Sequence, residues 1–175
     1  SLNKKGISLW RKGSLIKRWT GDLLFTHQGI SGPGILNYSR YIEKRDIIKI
    51  KLLNYKDEAE LDSLLVKKIT SSGKQLFKNI IRDLNIPASL TEKLLEFADV
   101  DKNKKSSQIT KKERKKTAKL LFSLPLKVKD LCGFNKAMLT GGGIPLAEIN
   151  ANTMESKIKP RLFFAGEIID IDGDT

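Results

Sequence analysis

The chain has 175 residues, a net charge of +13, 39% apolar residues and 30% charged residues. One cysteine and one histidine exclude an internal disulfide framework and the His-pair and Cys-x-x-Cys zinc motifs. No apolar run reaches the roughly 20 residues of a membrane-spanning helix and no signal-like apolar core opens the chain, so a cytoplasmic protein is expected.

Ile7–Trp10 and Leu15–Trp19 read as strands around the turn Arg11-Lys12-Gly13-Ser14. Asp22–Thr26 is a third short apolar run. In the glycine-rich stretch that follows, Gly29-Ile30-Ser31-Gly32-Pro33-Gly34, Ser31 or Gly32 can cap a helix that has Pro33 in its first turn. Ile35, Leu36, Tyr38 and Ile42 fit a short amphipathic helix. Ile47–Leu53 alternates apolar residues with lysine, as a half-buried strand does.

The period then changes. Leu61, Leu64, Leu65 and Ile69 have helical spacing, and Gly73 stops the pattern. Leu76, Phe77, Ile80, Ile81 and Leu84 repeat it up to Pro87. Leu90, Leu94, Leu95 and Phe97 repeat it again, with Ser89 or Thr91 as a cap. Ala118, Leu121, Phe122 and Leu124 close a fourth helix before Pro125. Such stripes must be buried against one another, so residues 57–125 read as a small helical bundle. Strand character returns in Leu126–Leu131, in Lys136–Thr140 and Ile144–Ile149 around Gly141-Gly142-Gly143, and in the wholly apolar Leu162–Gly166. That last run suits a strand buried on both faces of a parallel sheet, for which this chain has no parallel neighbours. It therefore reads as part of a longer protein, cut at both ends. The fold class expected is α+β: a β-barrel-like domain (1–56 and 126–152) interrupted by the helical bundle, with 153–175 belonging to something else.

Few residues suggest chemistry by themselves. His27 and Ser31 do not make a nucleophile elbow, because Pro33 stands where Gly-x-Ser-x-Gly needs its last glycine. Asp170, Asp172 and Asp174 lack the glycine register of a calcium loop. No metal is expected, and no phosphate-binding glycine fingerprint occurs. Cys132, beside Leu131 and Gly133, reads as a small buried apolar residue. Lys102–Lys119 holds nine basic residues against one acid, Glu113, and no aromatic residue. It reads either as a solvated face or, through Lys111, Lys112, Arg114, Lys115 and Lys116, as a phosphate-binding surface of a nucleic-acid-binding module. A protein-interaction platform on the helical bundle is a third reading.

Three segments together carry a resemblance. Gly21-Asp22-Leu23-Leu24-Phe25-Thr26-His27-Gln28-Gly29-Ile30-Ser31-Gly32-Pro33, then Thr140–Ile144 with Thr153-Met154-Glu155-Ser156-Lys157, then Leu162–Gly173 resemble the aminoacetone-oxidase-like family of bacterial NAD(P)/FAD-dependent oxidoreductases. Asp22 stands where glutamate is common in that family, and Asp174 where a larger residue is usual. The resemblance implies a Rossmann-like FAD-binding domain interrupted by a barrel that carries a helical bundle. This chain would be that insert plus a truncated return into the FAD domain. It implies FAD in the parent protein, not retained by the fragment, with the FAD domain, a small-molecule substrate and NAD(P)H or oxygen as partners. Gly166 and Glu167 would approach the ribityl chain, and Asp172 and Gly173 would lead to the pyrophosphate-contacting helix. Thr26, His27, Ser31 and Gly32 would face the flavin or substrate cavity. The resemblance names no catalytic residue and no substrate.

Overall fold

The computed structural model describes residues 2–137 and 141–171. The first element, β1 (Leu2–Arg11), turns through Lys12 and Gly13, both at positive φ, into β2 (Ser14–Thr26). This is the primed two-residue turn whose twist suits a hairpin. The third apolar run, expected as a separate strand, is the far half of β2. After β3 (Gly29–Ser31) come the four-residue helix α1 (Pro33–Leu36) and a 3₁₀ turn over Ser39–Tyr41. The amphipathic helix expected through Ile42 is thus two shorter pieces. Gly32 caps α1 with Pro33 at its first position. Then follows β4 (Ile47–Lys51).

The helical run contains α2 (Glu58–Ser71), α3 (Phe77–Arg82), α4 (Ala88–Phe97) and α5 (Lys111–Phe122). Asp57 caps α2 by accepting from the Glu60 amide. Thr110 and Glu113 form a reciprocal capping box on α5. The cap expected on α4 is absent. Thr91 lies inside the helix, buried, and its hydroxyl donates back to the Pro87 carbonyl at 3.1 Å.

The chain returns to the sheet as β5 (Leu124–Lys127), which is shorter than the strand expected through Leu131. The sheet is antiparallel, in the order β3-β2-β1-β4-β5, and forms a curled half-barrel. Register shifts in β1 between Leu2 and Lys5 and between Leu9 and Trp10 increase its twist. Pro125 is tolerated because β5 is an edge strand.

Alternation divides the sheet into two faces. Ile7, Leu9, Trp19, Ile48 and Ile50 point inward, where Ile35 and Ile42 cover them. The same buried cluster continues without a break through Leu52 into Leu61, Leu65, Phe77, Leu94, Leu95 and Leu121. Sheet and helices therefore share one core, and a void at Phe77 would be felt by both. Arg11 ties the loop before β4 to β1: it grips the buried Asp46 with two hydrogen bonds of 2.9 Å, and reaches Glu43 and the Tyr41 carbonyl. The Arg11 guanidinium holds the Asp46 carboxyl below its ordinary pKa.

Residues 141–171 are built differently. The strands expected over Ile144–Ile149 and Leu162–Gly166 are single bridges: Ile144 to Ile169, Ile149 to Ser156 and Glu155 to Phe163. A 3₁₀ turn occupies Leu146–Glu148 and another Gly166–Ile168. Lys136 ends a 3₁₀ turn over Phe134–Lys136 rather than starting a strand, and 138–140 lie outside the described residues. Leu162 and Phe163 are exposed, at 40% and 60%. A two-sided strand needs parallel neighbours, and none is present among the described residues. Cys132 is exposed, not buried, because β5 has already ended five residues earlier.

Candidate functional site

The resemblance's first signature folds into the β2–β3 hairpin and α1. Thr26 is structural within the hairpin turn: its hydroxyl oxygen accepts from the amides of Gln28 and Gly29 and the hydroxyl donates to the Gly29 carbonyl. This leaves His27 exposed at the tip. Lys136 reaches the same tip, donating to the Gln28 side chain at 3.0 Å. Ser31 is half-buried at the end of β3, and Gly32 adopts a φ of +96°. A Cβ at Gly32 would meet the Asp22 carbonyl oxygen at 2.8 Å. Gly21 and Gly34 touch backbone to backbone, and a Cβ at Gly21 would lie 2.5 Å from the Gly34 Cα. The Trp19 indole N–H donates to the Gly34 carbonyl, and its ring stacks on Tyr38 at 4.5 Å. The glycines therefore dock α1 on β2, and His27 stands exposed at the hairpin tip.

Gly166 and Glu167 lie on the separate C-terminal segment. Gly166 has a φ of +79° with open space where a Cβ would project, and Glu167 is exposed. An open backbone position beside a free carboxylate fits the approach of a hydroxyl-bearing chain. The Thr-Met-Glu-Ser-Lys run beside it is a hydrogen-bonded knot: the Ser156 amide donates to the Leu162 carbonyl, the Lys157 amide to the Glu148 carbonyl and the Arg161 amide to the Glu155 carboxylate. Asp172 and Gly173 lie outside the described residues. Ile158, Phe163, Ile168 and Ile171 of this segment are all more than half exposed.

The basic residues expected to bind phosphate are divided by the fold. Arg114 makes a two-pronged ion pair with Asp62 of α2, at 2.7 and 3.0 Å. Its guanidinium lowers the Asp62 carboxyl pKa, and Asp62 in turn raises that of Arg114. Lys116 pairs with Asp99, and Lys104 with Glu113 at 2.7 Å. Lys111, Lys112 and Lys115 remain exposed on α5. The concavity that Lys115 lines also contains Glu58 and Asp62, so acids surround that lysine.

A second basic surface was not singled out in the sequence. The outer face of the half-barrel is a groove of about 650 Å³. Its cross-strand rows follow from the register: Arg18, Ser8 and Lys49 in one, Thr20, Gly6 and Lys51 in the next. Trp10 stands at one end, its indole N–H on the Ser8 hydroxyl at 2.9 Å. Lys49 lies over the Trp10 ring at 3.9 Å, and Lys51 over the Phe122 ring at 4.9 Å. No carboxylate lines the groove. The alternating lysines of β4 were a visible signal, but their partners come from three other elements.

Residues 1–139 match the family model described as the HI0933-like protein barrel and H2TH domain. The chain belongs to that family. It is 28% identical over 152 residues to the ribosomal RNA dihydrouridine synthase of Escherichia coli, covering 87% of this chain and 37% of that protein. It is 32% identical over 158 residues to the ribosomal RNA dihydrouridine synthase of Haemophilus influenzae, covering 90% and 38%. It is 26% identical over 160 residues to the 3-dehydro-bile acid delta(4,6)-reductase of Clostridium scindens, covering 88% and 39%. The chain therefore spans less than two fifths of the length of these relatives. They are enzymes, which supports an oxidoreductase parent. The family model accounts for the barrel and the helices together.

Proposed function

We propose that this chain is the substrate-side insert of a FAD-dependent reductase of the aminoacetone-oxidase-like type, acting on uridine within RNA. The similarity to two ribosomal RNA dihydrouridine synthases carries this reading. Dihydrouridine is uridine whose C5=C6 bond has gained two electrons and two protons. A delta(4,6)-reductase among the relatives fits the same class, the saturation of a conjugated carbon–carbon bond.

In this reading 1–56 and the stretch around β5 form the barrel, 57–125 the bundle, and the C-terminal segment, in which 144–149 is bridged to 156 and 169 rather than to the sheet, begins the return to the FAD domain of the same protein. The exposed Ile158, Phe163, Ile168 and Ile171 would be covered by that domain, which suits a segment held by hydrogen bonds rather than by a core of its own. FAD, when bound, supplies the hydride chemistry, with NAD(P)H as the source of electrons. Gly166 lets a ribityl chain approach the backbone, and Glu167 accepts hydrogen bonds from its hydroxyls; Asp172 and Gly173 lead toward the pyrophosphate. His27, at the hairpin tip with Thr26, Ser31 and Gly32 behind it, faces the substrate cavity.

The reading is tested on the whole protein. Purified, it should show flavin absorption that bleaches with NAD(P)H, and cells lacking its gene should lose dihydrouridine from ribosomal RNA. A folded, colourless protein would contradict the flavin assignment. Unchanged dihydrouridine would contradict the RNA substrate. A second reading, a nucleic-acid-binding module on α5, rests on the exposed Lys111, Lys112 and Lys115.

A further inference from the structure

We infer that the outer face of the half-barrel, built by Ser8, Trp10, Arg18, Lys49, Lys51 and Phe122, is a binding site for a single-stranded segment of RNA. The inference rests on the reading of the protein as an enzyme that acts on RNA, and adds where the strand is held. Four observations carry it.

The first is uncompensated charge. Arg18, Lys49 and Lys51 share one face, no carboxylate lines their groove, and none of the three is ion-paired among the described residues. On α5, by contrast, Arg114 and Lys116 are already paired. Free cations on a common face are what a polyanion can neutralise, with release of counterions.

The second is spacing. Arg18 and Lys49 lie in one cross-strand row, two strands apart, and Lys51 lies in the next row on the same face. Rows on one face of a sheet are about 7 Å apart. The cations thus form a shallow lattice along an extended path rather than a single point.

The third is the presence of aromatic rings among the cations. Trp10 and Phe122 line the groove, and each ring is already overlaid by a lysine. An unstacked base can replace or extend such a contact, because every base has a π-face. The exposed lysines of α5 have no ring among them: Lys102–Lys119 contains no aromatic residue, and Phe122 at the end of the helix belongs to the groove. The fourth is shape. Gly6, Ser8 and Thr20 keep the floor between the cations low, which leaves an open groove instead of an enclosed pocket. An open, cationic, ring-bearing sheet face suits a single strand with splayed bases.

The test uses the whole protein and a fluorescent single-stranded oligouridylate of about 12 nucleotides, within the range that such folds cover. Binding is read by anisotropy across a salt series, and dihydrouridine in ribosomal RNA is measured in cells carrying each variant. The combined variant R18Q/K49Q/K51Q should bind at least about tenfold more weakly. Its plot of log affinity against log salt should be shallower by about 2, since each single-strand phosphate contributes about 0.7. All three residues project into the groove, so its melting temperature should stay near wild type. Trp10→Leu should weaken binding about 5- to 100-fold with little change in the salt slope, the signature of lost stacking. The control K111Q/K112Q/K115Q should bind as wild type.

Equal binding by the wild type and R18Q/K49Q/K51Q, with dihydrouridine formed normally, would overturn the site and leave the proposed function standing. Loss of binding in the α5 control alone would move the site to the helix. A wild type that neither binds RNA nor supports dihydrouridine would overturn both.

Discussion

Helix α5 and the outer sheet face carry the same sign of charge but differ in what surrounds it. On α5 the cations stand within reach of acids from α2 and from the turn after α4, and folding draws Arg114 to Asp62 and Lys116 to Asp99. On the sheet, strand alternation sends Lys49 and Lys51 to one face, with Ile47 beside Trp10, and Ile48 and Ile50 to the other, while β1 and β2 add Trp10 and Arg18 to the lysine side. A dense run of lysine in sequence thus becomes a partly internal network, and scattered cations become a common surface. Density of charge along a chain is a poor guide to free charge on a folded surface.

Several changes would sharpen or break that contrast. The largest expected effect is on stability at the α2–α5 pair. Asp62→Ala leaves a half-buried Arg114 without its partner, and should cost about 2 kcal/mol in urea unfolding with no change in RNA affinity. An RNA effect without a stability effect would show that Arg114 is a ligand-binding residue instead. Next comes acid. Asp46 and Asp62 have lowered pKa values in the folded state, so the unfolded chain binds more protons as pH falls. Their contribution is fully present above the unfolded value of about 3.9, and is lost as pH falls from there through the folded values. Thermal melts should be flat from neutrality to about pH 5 and then fall, and the fall should be shallower in Asp62→Asn. Identical acid profiles would contradict the pairing. The smallest effect belongs to the tip of the signature hairpin. His27→Ala removes an exposed side chain, so the melting temperature should hold within about 0.5 kcal/mol of equivalent stability while turnover on RNA falls. Unchanged turnover would remove His27 from the substrate side.

Much of the fold was legible because its signals are local. Lys12-Gly13 set the first hairpin, Gly32-Pro33 set the start of α1, and Leu61, Leu65, Phe77, Ile80, Ile81, Leu94, Leu95 and Leu121 lie on the buried stripes that their spacing suggested. The misreadings have a common cause. Leu162–Gly166 is apolar enough for a two-sided strand, but strand identity is a property of neighbours, and the described residues supply only the single antiparallel bridge from Glu155 to Phe163. The residues beside Cys132 suggest burial, while its exposure follows from where β5 ends. A hydroxyl near a helix start has two uses: it can cap, as expected of Thr91, or turn back inside the helix, as Thr91 does toward Pro87.

The site was legible only in part for the same reason. The glycine-rich signature was visible as special backbone geometry, but only the structure separates Gly21 and Gly34, which pack β2 against α1, from His27, which stays exposed. The outer groove gathers Trp10 and Arg18 from one hairpin, Lys49 from β4 and Phe122 from the end of α5, so no short window of sequence contains it.

The most direct test of the contrast between the two surfaces is photocrosslinking of the whole protein to RNA carrying 4-thiouridine, followed by mapping of the attached peptides. Crosslinks in β1 and β4, centred on Trp10 and Lys49–Lys51, are the predicted result. Crosslinks confined to α5, at Lys111–Lys119, would contradict it.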